Sequence, residues 1–520
     1  MQNKLLCTEY KNQNPTFLSK MIKVAKAAAI TLIIFIFTGC SGFFETYPTD
    51  ELLEKDFWKT TGDVESSLMT CYYDLRRCQD ELILYGLGRS DIVSPSPTEI
   101  RNIQKGIFTT NYKICDWSRW YKLINDANLV LAKSPEVMKL DPVFTQQKYD
   151  ELMAEARFLR AFSYFNLIRM WKNIPLVTVP SLHDAQDFFP FNNLERDSIF
   201  SFIENDLKYA AKHIPAKHVV VGDKEMSNLA TRARATEGAV WALLSDVYLW
   251  QDKYQECVNA CDTVLKSNLY RVLPNEDWWS IFNYQTGNSD EAIWELNYDN
   301  NFNYTFRDAS SRYGYSLEEW FSTQLKAQTV LSAMWPLPDV RYYTLMGTAG
   351  NLSRKNIGAT ETGTSLISSA DNPHWIIYRL PYIIFNKAEA LNRLKGSIAL
   401  DEINDLIRPI ELRAGVMDYE PISGGTRDVE EKIIYFKLKE TAFEGVRWFD
   451  LVRVGRRQWN ENLTGSDNFL VRSIVDMMPL VDQVFVNGNL NDIESWYLPI
   501  MEDELLRNPN LVQNPYYSNL

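Results

Sequence analysis

The chain has 520 residues, of which 46% are hydrophobic and 23% are charged, so wholesale disorder is excluded and a large buried core is expected. The formal net charge of −13 excludes a protein that binds nucleic acid through charge alone, because such binding needs Lys and Arg to neutralise phosphates. Aromatic residues make up 13% of the chain, which fits rings packed between helices and also a ligand surface built from exposed rings.

The amino terminus has the pattern of an export signal. Lys23 and Lys26 precede an apolar run at residues 27–37, and two small residues stand directly before Cys40. The apolar run is shorter than the roughly 20 residues that a membrane-spanning helix needs. A secretory signal peptide therefore explains this segment better than a transmembrane helix.

The cysteine that ends this segment makes it resemble a bacterial lipobox, in which a peptidase cuts before the cysteine and its thiol is acylated. Phe37 departs from that motif, which usually has Leu at this place. We expect residues 1–39 to be a signal peptide, with Met21 as an alternative start, and residues 40–55 to be a lipidated tether. Residues 56–520 should then form a single domain.

Helical periodicity is the next signal along the chain. It predicts a helix from about Thr60, another at 117–132 and a third at 149–171, the last with apolar residues on more than one side. A helix that is apolar on several sides must lie between other helices. Residues 80–112 contain Gly, Ser and Pro signals and are predicted to be loops.

The clearest internal motif lies at 241–248. Trp241 opens a W-x2-L-G-x2-Y pattern, with Ser245 in place of Gly, which is typical of the first helix of a tetratricopeptide pair. Residues 251–253 should form the turn, and Tyr254 should begin the second helix. The sequence thus predicts a pair of helices that approach closely through small residues, with Trp241 in the core.

The helical pattern is lost between 270 and 375. Gly, Asn, Ser and Thr are frequent there, aromatic residues persist, and a short strand is predicted at 291–297. A long irregular stretch inside a folded protein is usually functional. We therefore expect ligand to contact residues 300–345 and 80–112 on one side of the molecule.

Six segments follow one another behind the lipobox in a characteristic order. They are Trp120–Asn125, Ala154–Phe165, Asn173–Leu176, Ala388–Asn392, Phe443–Leu451 and Leu498–Ile500. No segment is diagnostic by itself, but in this order they resemble the SusD/RagB family of outer-membrane nutrient-binding lipoproteins. The family usually has Glu-Arg one helical turn before Glu440, where this chain has Phe436 and Lys437.

The resemblance implies a mostly α fold, with a tetratricopeptide-like α–α superhelical scaffold, a large irregular insertion-rich ligand face and a few short strands. It also implies a non-catalytic protein, anchored by lipid in the outer membrane and facing outward, that binds oligosaccharide or, in some members, peptide. Its partner would be a SusC-like TonB-dependent transporter. The six segments belong to the scaffold, so they transfer no ligand-binding residue.

The sequence contains no HExxH, P-loop, GxSxG or dinucleotide motif, so it predicts no catalytic residue and no cofactor. The cysteines and the four scattered histidines lack metal-ligand spacing, and Cys257 and Cys261 are predicted to be core residues. Glu444, Arg447 and Asp450 share a predicted helix face and should form ion pairs. A surface glycoside hydrolase stays open, because catalytic carboxylates need not be close in sequence, and so does a tetratricopeptide adaptor without a small ligand.

Aromatic residues of the irregular segments are the candidates for ligand contact, because a flat ring can stack on the apolar face of a sugar. The candidates are Tyr85, Tyr112, Tyr313, Tyr315, Trp320 and Trp335. Trp320 is the first choice, since two glutamates precede it and make full burial of its ring costly.

The first testable prediction concerns the lipid anchor. Cys40→Ala removes the thiol that would be acylated, so this variant should stay unprocessed and unlipidated. Metabolic labelling with a fatty-acid analogue measures the difference directly. Cys7→Ala changes a cysteine upstream of the cleavage site, so it should keep the labelling of the wild type. Equal labelling of Cys40→Ala and the wild type would exclude Cys40 as the acylated residue.

Overall fold

The structure is a computed structural model that describes most of the chain. The described residues are 57–181, 196–282, 287–297 and 374–518, short pieces at 193–194, 325–327 and 339–341, and the single residues Lys20, Lys23 and Lys355. Trp58–Leu520 form one unit by their contacts, and Met1–Phe57 form another. The helices and strands that position the site lie in the first of these units.

Helices make up most of the described chain. Their bounds are α1 Thr61–Arg77, α2 Gln79–Ile83, α3 Thr98–Gln104, α4 Ser118–Leu140, α5 Gln146–Trp171, α6 Arg196–His213, α7 Lys224–Ala233, α8 Glu237–Trp250, α9 Tyr254–Lys266, α10 Leu380–Lys395, α11 Leu400–Arg413, α12 Thr426–Thr441, α13 Arg447–Asn460, α14 Phe469–Val475, α15 Leu480–Leu490 and α16 Glu502–Arg507. The strands are β1 Val93–Pro95, β2 Ile174–Pro175, β3 Asn193–Leu194, β4 Ala292–Leu296, β5 Leu325–Ala327 and β6 Trp375–Arg379. The predicted mostly α fold with a few short strands is confirmed.

Helix α1 begins where the sequence predicts it, because Thr60 caps it. The Thr60 hydroxyl accepts a hydrogen bond from the Asp63 amide at 3.3 Å, and the Asp63 carboxylate accepts one from the Thr60 amide at 2.7 Å. These bonds satisfy amides that have no partner within the helix. The Asp141 carboxylate, just after α4, accepts further bonds from the amide and hydroxyl of Thr61, each at 2.7 Å. The start of α1 is thereby fixed to the end of α4.

Helix α5 is buried on all sides over most of its length. Every residue from 158 to 171 has a buried side chain. The neighbours of α5 explain this burial, because the helix packs against both α4 and α6. The prediction that this helix lies between other helices is confirmed.

The predicted tetratricopeptide-like pair is α8 and α9. Asp252 lies in the turn between them with a left-handed φ of 61°, and Ser245, Cys257 and Cys261 are fully buried where the helices approach. Helix α8 also packs against α6, and α9 packs against α10, so the helices are stacked in series. The prediction for Trp241 is wrong, since its ring is only half-buried and lines a surface groove between α6 and α8.

The prediction of loops at 80–112 is wrong for much of that segment. The segment contains α2, a π-helical turn at Leu84–Gly88, β1 and α3, and most of its apolar side chains are buried. One glycine that suggested a loop serves a close contact instead, because a Cβ on Gly86 would lie 1.6 Å from the carbonyl oxygen of Gly445. Here the Gly and Pro signals mark short, tightly packed elements.

The described strands form three antiparallel pairs, β1 with β5, β2 with β3 and β4 with β6. The strand predicted at 291–297 is β4 and is confirmed. Leu296 of β4 lies opposite Trp375 of β6. The two ends of segment 298–373 are therefore neighbours, and this whole segment is an insertion between two paired strands.

The contact at Gly86 gives a prediction for stability. Gly86→Ala places a methyl group against backbone atoms that cannot rotate away, so the free energy of unfolding should fall by about 1 to 3 kcal/mol or more. Gly488→Ala is the matched control, because its Cβ would meet nothing within 4 Å. Alanine is the better helix former, so the control should gain stability of up to about 1 kcal/mol. Urea unfolding measures both changes, and equal stability of the two variants would contradict the prediction.

Candidate functional site

The two segments at which the sequence predicts ligand contact meet in the structure. Strand β1 belongs to the first segment and β5 to the second, and they pair with Val93 opposite Ala327 and Pro95 opposite Leu325. We call β1, β5, α3 and Tyr112 the ligand face. The expectation that residues 80–112 and 300–345 lie on one side is supported at this pair of strands.

Polar side chains lie along α3 on this face. The Asn102 Nδ2 donates a hydrogen bond to the Tyr112 hydroxyl at 3.0 Å, and the Arg101 guanidinium donates one to the Thr98 hydroxyl at 3.0 Å. Ser94 on β1 and Arg101 on α3 are exposed. Amide, hydroxyl and guanidinium groups of this kind can bind the hydroxyl groups of a sugar.

The two described candidates among the predicted aromatic residues differ in outcome. Tyr112 is half-buried and keeps part of its ring accessible beside Asn102. The prediction for Tyr85 is wrong, because its side chain is 1% exposed. The Tyr85 hydroxyl donates to the Ile114 carbonyl at 2.6 Å, and its ring packs edge-on against Trp171 with 5.5 Å between centroids. Tyr85 is therefore a core residue. It lies in the π-helical turn Leu84–Gly88, all of whose residues are buried.

The other four candidates, Tyr313, Tyr315, Trp320 and Trp335, lie outside the residues that the structure describes. Trp320 stands five residues before Leu325, the first residue of β5. The four residues stay predictions.

A group of buried charged side chains lies where segment 298–373 meets the helices. We call it the charge cluster. Its carboxylates are Glu291, Asp339, Glu411, Glu440 and Glu444, and its cations are Arg341, Lys355, Arg379, Arg413 and Lys439. Five negative groups face five positive ones, so the formal charge of the cluster is zero. Burial of so many charges is tolerable only because each has partners.

Arg379, at the end of β6, is the centre of the charge cluster. Its guanidinium donates to Glu291 at 2.7 Å, to the Glu440 carboxylate at 2.6 Å and to both oxygens of Glu444 at 2.8 and 2.9 Å. A fifth bond goes to the Glu440 carbonyl at 2.7 Å. All the donors of the guanidinium are used. Arg379 thus joins β6 to the end of α12 and to the turn before β4.

The cations keep the buried carboxylates ionised. Burial alone would raise the pKa of the Glu440 carboxyl, but Arg413, Arg379 and Arg341 hold that pKa well below its usual range. Burial is also outweighed at Glu444, whose pKa is lowered chiefly by Arg379. These two glutamates are therefore negative at neutral pH.

Three members of the charge cluster come from segment 298–373 itself. Arg341 donates to Glu411 at 2.7 and 3.0 Å and to Asp339 at 2.7 and 2.9 Å. Lys355 donates to Glu444 at 2.5 Å and to the Glu440 carbonyl at 2.6 Å. Burial lowers the pKa of Lys355 to about 8 against the pull of Glu444. The cluster thereby fixes the segment to the scaffold at two points between β5 and β6.

The prediction that Glu444, Arg447 and Asp450 form ion pairs along one helix face is wrong, because each of them pairs with a residue elsewhere in the chain. Glu444 belongs to the charge cluster, and Arg447 pairs with Asp91 through two bonds of 2.5 and 2.8 Å. Asp450 accepts from Lys437 at 2.8 Å. Helix α13 begins only at Arg447, so the predicted helix face does not reach Glu444.

Sequence reasoning missed an apolar stripe on α15. Leu480, Val481, Val484 and Phe485 are 84%, 89%, 84% and 52% exposed. The helix lies beside the ligand face, because Lys105, directly after α3, forms an ion pair of 2.7 Å with Asp482 of α15. The spacing i, i+1, i+4, i+5 could have revealed the stripe, but such a pattern usually indicates a buried helix face.

Two classes of site find no support among the described residues. Within 57–181, 196–282, 287–297 and 374–518, His, Cys, Asp and Glu side chains form no group of three that could hold a metal ion. No described helix combines the length and the apolar character that crossing a bilayer requires.

Two family models match the chain. The model described as the SusD family matches residues 248–517, and the model described as starch-binding associating with outer membrane matches residues 95–249. The first match alone covers more than half of the chain.

Known proteins resemble the chain over most of its length or over about half of it. The SusD-like protein P38 of Formosa agariphila is 24% identical over 552 aligned residues, which cover 95% of this chain and 100% of that protein. A SusD-like protein of Bacteroides ovatus is 25% identical over 289 residues, 52% of this chain and 49% of that protein. A solved SusD superfamily protein of Bacteroides thetaiotaomicron matches with a TM-score of 0.68 at 19% identity, covering 88% of this chain and 100% of its own. A second, from Bacteroides vulgatus, has a TM-score of 0.68 at 18% identity over 89% and 100%. These structures share the fold.

The charge cluster gives a prediction for stability. Glu440→Gln leaves Arg379 and Arg413 buried with one carboxylate fewer, so the free energy of unfolding should fall by about 3 to 5 kcal/mol. Glu461→Gln is the matched control, because Glu461 pairs with Arg393 at the surface with 44% of its side chain exposed. Loss of a surface pair should cost less than about 1 kcal/mol. Urea unfolding of both variants measures the difference, and equal losses would show that the cluster is not a major source of stability.

Proposed function

Because the chain belongs to the SusD family, we propose that it is a cell-surface protein that captures oligosaccharide and passes it to a SusC-like TonB-dependent transporter. The second matching family is described by starch binding and association with the outer membrane, which supports a carbohydrate ligand and that location. The alternative ligand is a peptide bound by the same scaffold.

The pairing of β1 with β5 is the observation that carries this proposal. It joins the two segments at which the sequence predicts ligand contact, and it lies beside the polar side chains of α3. The stacked helices use their apolar faces on one another, so they leave little surface for a ligand. Oligosaccharide then binds at the ligand face. Tyr112 and Asn102, which the structure describes, are its proposed contacts there, and Trp320 is the proposed principal stacking ring.

Binding without cleavage is part of the proposal. The sequence contains no recognised catalytic motif. The glutamates in and just before the Phe443–Leu451 segment already form ion pairs. Glu440 and Glu444 are buried in the charge cluster, and their pKa values are lowered by neighbouring cations against the effect of burial. A general acid of a glycosidase needs the opposite, a raised pKa and access to the glycosidic oxygen. The hydrolase alternative is therefore less well supported.

The anchor and the transporter complete the proposal. A lipid on Cys40 would hold the protein in the outer membrane. Helix α1 begins 21 residues after Cys40, so only a short stretch of chain would separate the lipid from the first helix. The exposed stripe of α15 offers an apolar contact for the transporter, because four adjacent apolar side chains at a surface are typical of a protein interface. Its position beside Lys105 would bring the transporter next to the ligand face.

The ligand face gives the test of the proposed function. A purified full chain is screened against a panel of oligosaccharides and peptides, and the best ligand is titrated by calorimetry. Trp320→Ala should weaken binding by about 1 to 3 kcal/mol, as expected for a stacking ring, and Tyr112→Ala should weaken it in the same direction. Tyr73→Ala is the matched control, because Tyr73 is 46% exposed on α1. The control should keep the affinity of the wild type.

The outcomes separate the alternatives. If Trp320→Ala and Tyr112→Ala bind as tightly as Tyr73→Ala, the placement of the ligand face is wrong. If only peptides bind, the peptide alternative is correct. Shortened oligosaccharide after prolonged incubation, absent without protein, would favour the hydrolase.

A further inference from the structure

A polar cavity that shares no residue with the ligand face lies at the end of α7. It has a volume of about 110 Å³ and is bordered by α7, by the chain just after α9 and by the turn before β4. The side chains that matter for its chemistry are Lys217, Asn228, Arg232, Tyr270 and Asn288. The cavity is large enough for a group of several heavy atoms, since one water needs about 30 Å³.

Arg232 is a buried arginine that has no carboxylate or carbonyl partner among the described residues. Arg232 is 8% exposed, and within the described residues no ion pair or hydrogen bond joins its guanidinium to a carboxylate or carbonyl. The guanidinium instead lies against Tyr270, with 4.8 Å between the Arg232 Cζ and the ring centroid and with the Tyr270 hydroxyl beside it. Burial of a cation without a negative partner costs free energy. A bound anion would offset that cost.

The other buried arginines of the described chain differ from Arg232 in this respect. Arg160 donates to Asp206, and Arg453 donates to Glu389 through bonds of 2.6 and 2.8 Å. Even Arg89, which lacks a carboxylate, donates to the carbonyl oxygens of Ser495 and Trp496. The lack of a carboxylate or carbonyl acceptor thus distinguishes Arg232 from the other buried arginines of the described chain.

Tyr270 supplies a second buried polar group, whose hydroxyl lies beside the Arg232 guanidinium and the Thr236 hydroxyl and has no described acceptor for its own proton. Its side chain is 9% exposed, and its hydroxyl has no hydrogen bond of ordinary geometry. Gly238 is required to seat it, because a Cβ on Gly238 would lie 2.0 Å from the Tyr270 oxygen. Burial raises the pKa of this hydroxyl, so it stays protonated and can donate.

The remaining charges around the cavity leave it positive. Asp290 lies at its border but forms an ion pair with Arg271 at 2.8 Å. Lys217 is exposed at the rim and has no ion pair with a described residue. Thr231 is already used, because its hydroxyl exchanges bonds with the backbone of His218 at 3.0 and 3.1 Å. Arg232 and Lys217 are therefore available to a ligand.

We propose that this cavity binds an oxyanion, with Arg232 as its principal charge partner, Tyr270 as a hydroxyl donor and Lys217 at the rim. The planar guanidinium suits a carboxylate or sulfate, because two of its N–H groups can bind two oxygens at once. The oxyanion comes either from an acidic sugar or from free inorganic sulfate. The inference does not depend on the ligand face, since the two sites share no residue.

Calorimetry on the full chain at constant ionic strength tests this site. Glucuronate and sodium sulfate are titrated separately, and glucose serves as the neutral probe. The wild type should bind at least one of the two anions in a saturable manner and should not bind glucose at this site. Arg232→Met removes the charge and keeps the apolar stem, so it should weaken anion binding at least about ten-fold. Lys217→Met should have a smaller effect, of about two- to five-fold.

Control variants make each outcome decisive. Arg427→Met removes an exposed arginine of α12 and should leave anion binding unchanged. Arg232→Met should fold at least as stably as the wild type without anion, because it removes an unpaired buried charge; if it does not fold, Arg232→Lys takes its place. Saturable binding of glucuronate that needs Arg232 supports an acidic sugar, and binding of sulfate alone supports a free anion. Anion binding that is absent from the wild type, or unchanged without the Arg232 guanidinium, would overturn the proposal.

Discussion

The balance of five carboxylates and five cations in the charge cluster is the constraint on which the carboxyl-terminal half depends. Charges in a protein interior are costly unless each has a partner in good geometry. Arg379 meets this condition with five hydrogen bonds, and Glu440 meets it by accepting from Arg379 and Arg413 at 2.6 Å each and from Arg341 at 3.4 Å. Because these bonds require one arrangement of the groups, the cluster fixes β6, α11 and α12 relative to one another and to segment 298–373.

A second group of buried ion pairs continues this pattern between α10, α12 and α13. Glu389 of α10 accepts from Arg453 and Arg457 of α13, and these arginines lower the pKa of Glu389 to about 2 although burial alone would raise it. Lys437 of α12 donates to Asp450 of α13 at 2.8 Å. Lys437, one of the two residues at which the chain departs from the Glu-Arg usual in the family, thus has a buried partner in this structure. Helix packing in this half is thus specified by polar partners as well as by apolar surface.

The parts of the fold that depend on local pattern could be predicted, and the parts that depend on distant partners could not. The capping residues Thr60 and Asp63 lie three residues apart, and the apolar positions of α5 repeat within one helix. In contrast, Arg379 and Glu440 are 61 residues apart, and Arg447 and Asp91 are 356 residues apart. The sequence shows that such charges need partners but does not identify them.

The errors have the same origin. Gly86 suggested a loop because glycine is common in turns, but its role is to let two backbone segments approach, which depends on Gly445 far along the chain. Tyr85 was a candidate for ligand contact only through its place in that supposed loop. The sequence led to the expectation that the segments containing β1 and β5 lie on one side, and these strands do pair, but it could not show that Tyr85 is buried.

Division of the chain into scaffold and insertion explains why the family could be identified while the ligand could not. The apolar faces of a stacked helix pack against its neighbours, so a substitution there disturbs the core. This requirement constrains the sequence motifs of the scaffold. Segment 298–373 is held at β4, β6 and the charge cluster, and these attachments use the backbone and a few buried charges. The residues between the attachments can therefore change with the ligand without loss of the helical stack. Specificity is therefore expected to lie in residues of segment 298–373 that no scaffold motif constrains.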